Sequence, residues 1–217
     1  MIDLHTHSLL SDGELLPSEL VRRAEVKGYQ AIAITDHVDA SNIDWVISRL
    51  VKDCNELGKY FQIKVLPGAE LTHVPPESIK PLAEEARKLG AKIVIVHGET
   101  IVEPVAPHSN LKALESPIDI LAHPGLINEE EVKLARKNSI MLEITSRKGH
   151  CLTNGHVAKL ALKIGAGLVL NSDAHSPEDL ITIDQARQIA LGAGLDEDDF
   201  SRLKMNAREL LRKKEKD

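Results

Sequence analysis

The stretch IKPLAEEARKLGAKIVIVH (Ile79–His97) sets the reading of the whole chain. Its first half carries apolar residues at helical spacing, and Gly90 follows where a helix calls for a left-handed cap. Lys92–His97 is then a short β-branched run, apolar on both faces, ending in a histidine. A strand buried on both faces belongs to a parallel sheet covered by helices. The same unit repeats outward in both directions. Candidate strands are Ile2–His7, Ala31–Asp36, Gln62–Glu70, Lys92–His97, Ile118–His123, Ser139–Thr145 and Gly167–Asn171. Candidate helices are Pro17–Lys27, Ile43–Leu57, Ile79–Leu89, Leu111–Glu115, Glu129–Asn138, Gly155–Ile164, Pro177–Leu191 and Asp196–Lys213. Pro17 and Pro177 stand in first turns, where a missing N–H costs nothing. Ser176 and Asp179 are spaced as a variant capping box. Seven strand–helix units without a linker favour an α/β fold closed into a barrel, or nearly so, over an open doubly wound sheet. One domain is expected over residues 1–217, with a charged tail at about 212–217.

Composition narrows the function classes. Hydrophobic content of 42% and 28% charged residues describe an ordinary globular chain with a real core. The net charge of −6 argues against a binder of nucleic-acid backbones, which carries a basic face. The five aromatics, Tyr29, Trp45, Tyr60, Phe61 and Phe200, give little for stacking bases. Cys54 and Cys151 form no CxxC pair, so neither a disulfide framework nor a thiolate zinc site is expected. No signal-like or membrane-spanning apolar run occurs, and a cytoplasmic location without membrane contact is the expectation. The oddity is ten histidines in a chain poor in other aromatics.

Their positions carry the chemistry. His5 and His7 end the first candidate strand, Asp36 and His37 the second, Glu70 the third, His97 the fourth and His123 the fifth. Glu143 nearly ends the sixth, and Asp173 and His175 follow the seventh. In a parallel barrel all strand C-termini open on one face, so these residues converge there. Residues two apart in a strand share a face, which pairs His5 with His7 and Asp173 with His175. A lone HxH, SDAH or AHPG is weak evidence, because histidines and aspartates serve in ordinary polar contacts. Seven strand ends in succession bearing His, Asp or Glu are another matter. Buried without compensation they are costly, so they must pair or bind metal. Imidazole and carboxylate together suit zinc, iron or manganese.

In order along the chain, these residues resemble the PHP (polymerase and histidinol phosphatase) superfamily. The resembling motifs are HTHSLLSDG (His5–Gly13), ITDH (Ile34–His37), VHGE through AHPG (Val96–Gly125) and NSDAH (Asn171–His175), with GAE (Gly68–Glu70) and LEIT (Leu142–Thr145) between them. The resemblance implies a distorted seven-stranded (β/α) barrel of TIM-like form, holding up to three divalent metals (Zn, Mn or Fe). By it, His5, His7, Glu70 and Asp173 hold the first metal, and Glu70 bridges to a second that His97 and His123 also bind. Asp12, His37 and His175 hold the third. Some members carry histidine where this chain has Asp12, an aspartate there being another common form.

The implied activity is hydrolysis of a small phosphomonoester by a metal-activated hydroxide, as in a histidinol-phosphate phosphatase. The alternatives are a phosphodiesterase or 5′–3′ exonuclease on short nucleotides, or a non-catalytic RNA-binding or polymerase-associated scaffold. Nucleic acid is expected only as a short substrate. Arg147, in TSRKGHCLTNG, is the candidate phosphate contact, since guanidinium matches phosphate oxygens. His108, in the βα loop GETIVEPVAPHSN, is the candidate catalytic contact to substrate. Glu143 and Asp36 read as residues that orient ligands. His73 reads as a loop residue near the mouth, and His150 and His156 as surface or loop residues.

Overall fold

The structure is a computed structural model and describes residues 1–214. Eight strands form: β1 (Ile2–Thr6), β2 (Ala31–Ile34), β3 (His37–Val38), β4 (Lys64–Leu71), β5 (Ile93–His97), β6 (Ile120–Ala122), β7 (Met141–Thr145) and β8 (Leu168–Asn171). All pair in parallel, in the order β1-β2-β4-β5-β6-β7-β8. The seam between β1 and β8 is bridged by His7 N–H donating to Ala174 O at 2.8 Å and Asp173 N–H to His5 O at 2.9 Å. Below these, Leu4 N–H donates to the Asn171 side-chain Oδ1, also at 2.9 Å. The seven-stranded sheet is therefore a nearly closed barrel, not an open sheet.

The expected second strand, Ala31–Asp36, is split. β2 pairs with both β1 and β4, whereas β3 pairs with β4 alone. Thr35 N–H still donates to Thr6 O, while Asp36 O accepts from Glu70 N–H, so the backbone leaves β1 between these two residues. β1 is irregular as well. Asp3 pairs with Ile32 and Thr6 with Ile34, which sets Leu4 and His5 against Ala33 alone. Such a bulge aims two successive side chains at one side of the sheet. Leu4 thus joins the barrel core while His5 still reaches the polar end.

Around the barrel lie α1 (Pro17–Val26), α2 (Ile43–Leu57), α3 (Ile79–Lys88), α4 (Ser109–Leu114), α5 (Glu129–Asn138), α6 (Asn154–Ile164), α7 (Ile183–Gly192) and α8 (Glu197–Lys214). The helix expected over Pro177–Leu191 is interrupted. Pro177–Asp179 is a 3-10 turn closed by the Ser176/Asp179 capping box, and α7 starts afresh with a Thr182/Gln185 box. The expected charged tail partly joins α8, and residues 215–217 lie outside the described residues. Among the described residues no helix is long and apolar enough to cross a membrane.

Strand alternation yields two apolar layers. Val94, Val96, Leu121, Leu142 and Ile144 face outward onto the helices. Ile93, Ile95, Ile120, Leu66 and Val169 face inward, and Ala207, Leu210 and Leu211 of α8 pack against them. Each fully buried aliphatic side chain contributes about 1.5–3 kcal/mol. Filling the interior with aliphatics at the end met by α8 leaves the opposite, C-terminal end to polar side chains.

Candidate metal centre

At that end the strands deliver their last residues inward. Glu70 is the last but one residue of β4, in register with inward Leu66, and His97 closes β5, in register with inward Ile93 and Ile95. His123 and Asp173 lie just past β6 and β8, with φ of +27° and +53°. Non-glycine residues avoid such values, and backbone strain of this kind collects at functional sites. The loop after His123 is held by contact with the loop after His97. Gly125 has φ +62°, and a Cβ there would lie 1.8 Å from Glu99 O. Gly125→Ala is therefore expected to displace the His123 loop, costing at least about 2 kcal/mol. Denaturant unfolding of the metal-free chain checks this, and an unchanged midpoint would sink it.

The imidazoles and carboxylates interleave. His5 Nε2 lies 3.3 Å from Glu70 Oε2 and 3.7 Å from Asp173 Oδ1. His7 Nε2 is 3.5 Å and 3.3 Å from the same two oxygens. His123 Nε2 is 3.7 Å from Glu70 Oε1, and His37 Nδ1 is 2.8 Å from Glu70 Oε2. Asp12 Oδ1 lies 3.4 Å from His37 Nε2 and 3.3 Å from His175 Nε2. Three sets therefore have ligand atoms mutually within 4.8 Å: His5, His7 and Glu70; Glu70, His97 and His123; and His7, Asp12, His37 and His175. His5, His123 and Asp173 form a further overlapping set.

The centre leaves several buried polar atoms unpaired. His5 Nε2, His7 Nε2 and both Glu70 oxygens are buried without a hydrogen-bond partner. Each such atom costs about 1–3 kcal/mol, and a shared cation offsets that. Bare imidazole nitrogens and carboxylate oxygens with no thiolate fit a divalent ion of the zinc, manganese or iron type.

Protonation follows the same crowding. Burial works against charge at His37, but Glu70 and Asp12 outweigh it and push its pKa up to about 10. At His5 burial is likewise outweighed, by Glu143, Glu70 and Asp173, and its pKa is well above the usual histidine value. His7 and His123 lie well below it through burial, and through His37 and His97 respectively. Burial pushes Asp173 up to about 7.

Supporting contacts set orientation. Glu143 Oε1 is 2.8 Å from His5 Nδ1 and accepts from Asn171 Nδ2 at 2.8 Å, and Oε2 accepts from His123 N–H. Asp36 accepts from Ser8 N–H, Ser8 Oγ–H and Ser11 Oγ–H, fixing the loop that carries Asp12. Arg147 lines the cleft of about 500 Å³ above these residues, and its Nη1 donates to Asp179 Oδ2 at 3.0 Å. His108 is exposed at the start of α4 and is not among the residues lining that cleft. His156 donates to Ile127 O, away from the cleft lining.

Two residues stand out beyond the sequence reading. His150 is buried beside His123, with ring centroids 4.3 Å apart. Glu103, in the loop after β5, meets His73, His97 and His150. The available signal was their place in βα loops.

The PHP domain model matches residues 3–188. The chain belongs to the PHP family. The matched span ends inside α7, so α8 lies beyond it. An uncharacterized protein of Methanocaldococcus jannaschii is 51% identical over 195 residues, covering 89% of either chain. A probable phosphatase of Thermoanaerobacter sp. (strain X514) is 30% identical over 221 residues, covering 91% of this chain and 88% of that one. In fold, this PHP chain is similar to one in the cryo-EM structure of archaeal ribonuclease P with mature tRNA. There the TM-score is 0.76 at 14% identity, covering 97% of this chain and 90% of that one.

Proposed function

We propose that the chain is a metal-dependent phosphoesterase that hydrolyses a small phosphomonoester. The observation that carries this reading is the buried cluster of His5 Nε2, His7 Nε2, the Glu70 oxygens and Asp173 Oδ1, all within 3.7 Å of a neighbour, under an open cleft that Arg147 lines. His5, His7, Glu70 and Asp173 would hold one divalent ion, Glu70, His97 and His123 a second, and Asp12, His37 and His175 a third. Bound there, such ions make water acidic enough to attack phosphorus at neutral pH and neutralise phosphate oxygens.

The chain's own residues do the rest. Glu143 fixes His5 with Nε2 aimed at the centre, as partners of metal-binding imidazoles do. Arg147, its side chain about a third exposed, is steadied by Asp179, which also accepts from the N–H groups of His175 and Ser176. Its guanidinium is left with further donors for the substrate's phosphate. His108 has no part in this assignment. The relative named as a probable phosphatase supports the reaction class.

The test is turnover by Mn²⁺- or Zn²⁺-loaded protein across phosphomonoesters and dinucleotides. Phosphomonoester hydrolysis that a chelator abolishes is expected. Preference for the dinucleotides would move the substrate to the phosphodiester class. The likeness to a ribonuclease P chain raises an RNA-binding scaffold instead, against which stand the net charge of −6 and the complete donor set. Metal-free protein with salt-sensitive RNA affinity and no turnover would establish the scaffold and overturn the esterase.

A further inference from the structure

On one wall of the cleft, three imidazoles converge on a single carboxylate outside the nine residues assigned to the centre. Glu103 Oε2 lies 3.0 Å from His97 Nε2 and 3.0 Å from His73 Nε2. Its Oε1 lies 3.2 Å from His150 Nε2. His97 Nδ1 faces the Gly98 carbonyl at 3.2 Å, and a carbonyl only accepts. Three imidazole nitrogens stand within 3.2 Å of the two oxygens of one carboxylate.

We propose that Glu103, His73, His97 and His150 form a further divalent-cation site on the cleft wall. Three imidazole nitrogens and a carboxylate are the donors of zinc and its transition-metal neighbours. His73, His97 and Glu103 offer ligand atoms mutually within 4.8 Å. The surroundings are those of a built site. His150 is buried, and its Nδ1 is fixed at 2.9 Å by Thr100 Oγ1, which leaves Nε2 aimed at Glu103. The loop carrying Glu103 is stapled at its base by buried Asn110, which exchanges hydrogen bonds with Glu99 and donates to Pro124 O. Side-chain partners of this kind are what hold metal ligands in place.

His97 ties the wall site to the centre. Its Nε2 can face one ion at a time, so an ion held with Glu103 withdraws His97 from Glu70 and His123. This coupling rests on the phosphoesterase reading only in taking His97 as a ligand of the second ion. Excess zinc would fill the wall site at the expense of the inner one.

The test is anomalous diffraction across the zinc edge from Zn²⁺-soaked crystals of the full chain, wild type and Glu103→Gln. A zinc peak bonded to Glu103 and to His73 or His150 is expected in the wild type. It should vanish in Glu103→Gln, while peaks at His5, His7 and Asp173 persist and report an intact fold. In solution, Glu103→Gln and His73→Asn should each weaken the loosest zinc-binding event roughly 10- to 100-fold, with the tighter events unchanged. Wild-type peaks confined to the inner sets, or a loosest event unmoved by both substitutions, would overturn the site. Neither readout uses turnover, so failure of the esterase reading leaves this result standing.

Discussion

Glu70→Gln is expected to empty the metal centre and lower phosphoester turnover by at least about 10³-fold while the chain stays folded. Among the described residues, Glu70 is the one side chain within 3.7 Å of His5, His7, His37 and His123 at once. Burial alone would hold it as a neutral acid, but His5 and His37 outweigh burial and keep its pKa well below the usual carboxylate range. It therefore meets a cation already charged, with Oε1 unpaired and Oε2 2.8 Å from His37 Nδ1. Glutamine keeps the volume, removes the charge, and turns one acceptor into a donor that no cation tolerates. The metal-free chain loses the charge that pairs with His5 and His37, and removing one partner of a buried pair is destabilising. Its unfolding midpoint should fall. Glu143→Gln is the control, acting through the orientation of His5 and the His123 backbone, and should cost roughly 10- to 100-fold. Metal content after gel filtration, unfolding and turnover together check the pair. Retained metal in Glu70→Gln would remove Glu70 from the centre.

The barrel was legible because each unit repeats one physical pattern, an amphipathic helix followed by a strand apolar on both faces. The clustering of the candidate site was legible because strand C-termini share one end of such a barrel. His5, His97, His123 and Glu70 could be brought together by topology alone. What escaped depends on contacts between units. The bulge that lets Leu4 and His5 face one way arises from how β1 meets β2. The break between Ile34 and His37 reflects a change of partner from β1 to β4. Neither leaves a trace in hydrophobic period.

Loops were harder still. His108 and Glu103 lie in the same loop and read alike in sequence, yet Glu103 lines the cleft and His108 does not. Asn110, by bonding to Glu99 and Pro124 O, decides which part of that loop folds back over His97. His150 reads as a loop residue because it follows Arg147, Lys148 and Gly149 in a segment of little apolar content. It is buried because the turn at Gly149 packs it beside His123.

Metal loading at neutral pH is expected to release at least two protons, and the stability gained from metal should widen as pH rises. Ligands must bind deprotonated. In the metal-free chain His37 holds its proton up to about pH 10, and His5 is also raised well above the ordinary value. Metal must therefore expel a proton from each, so affinity rises about tenfold per pH unit for each proton released. The metal-free chain moves the other way. A histidine whose pKa is raised on folding contributes stability that is complete below about 6.5 and is lost as pH climbs towards the folded value. For His37 that window runs from 6.5 to about 10. Alkaline conditions thus weaken the empty fold while strengthening the loaded one. With metal at about 100 times Kd the gain is about 2.7 kcal/mol per ion, or roughly 5–10 °C in Tm for a chain of this size. Calorimetric titrations in buffers of different ionisation enthalpy count the protons, and melting curves at pH 6.5 and 9 measure the widening. No proton release, with parallel pH dependence of the two forms, would mean that His5 and His37 are not ligands.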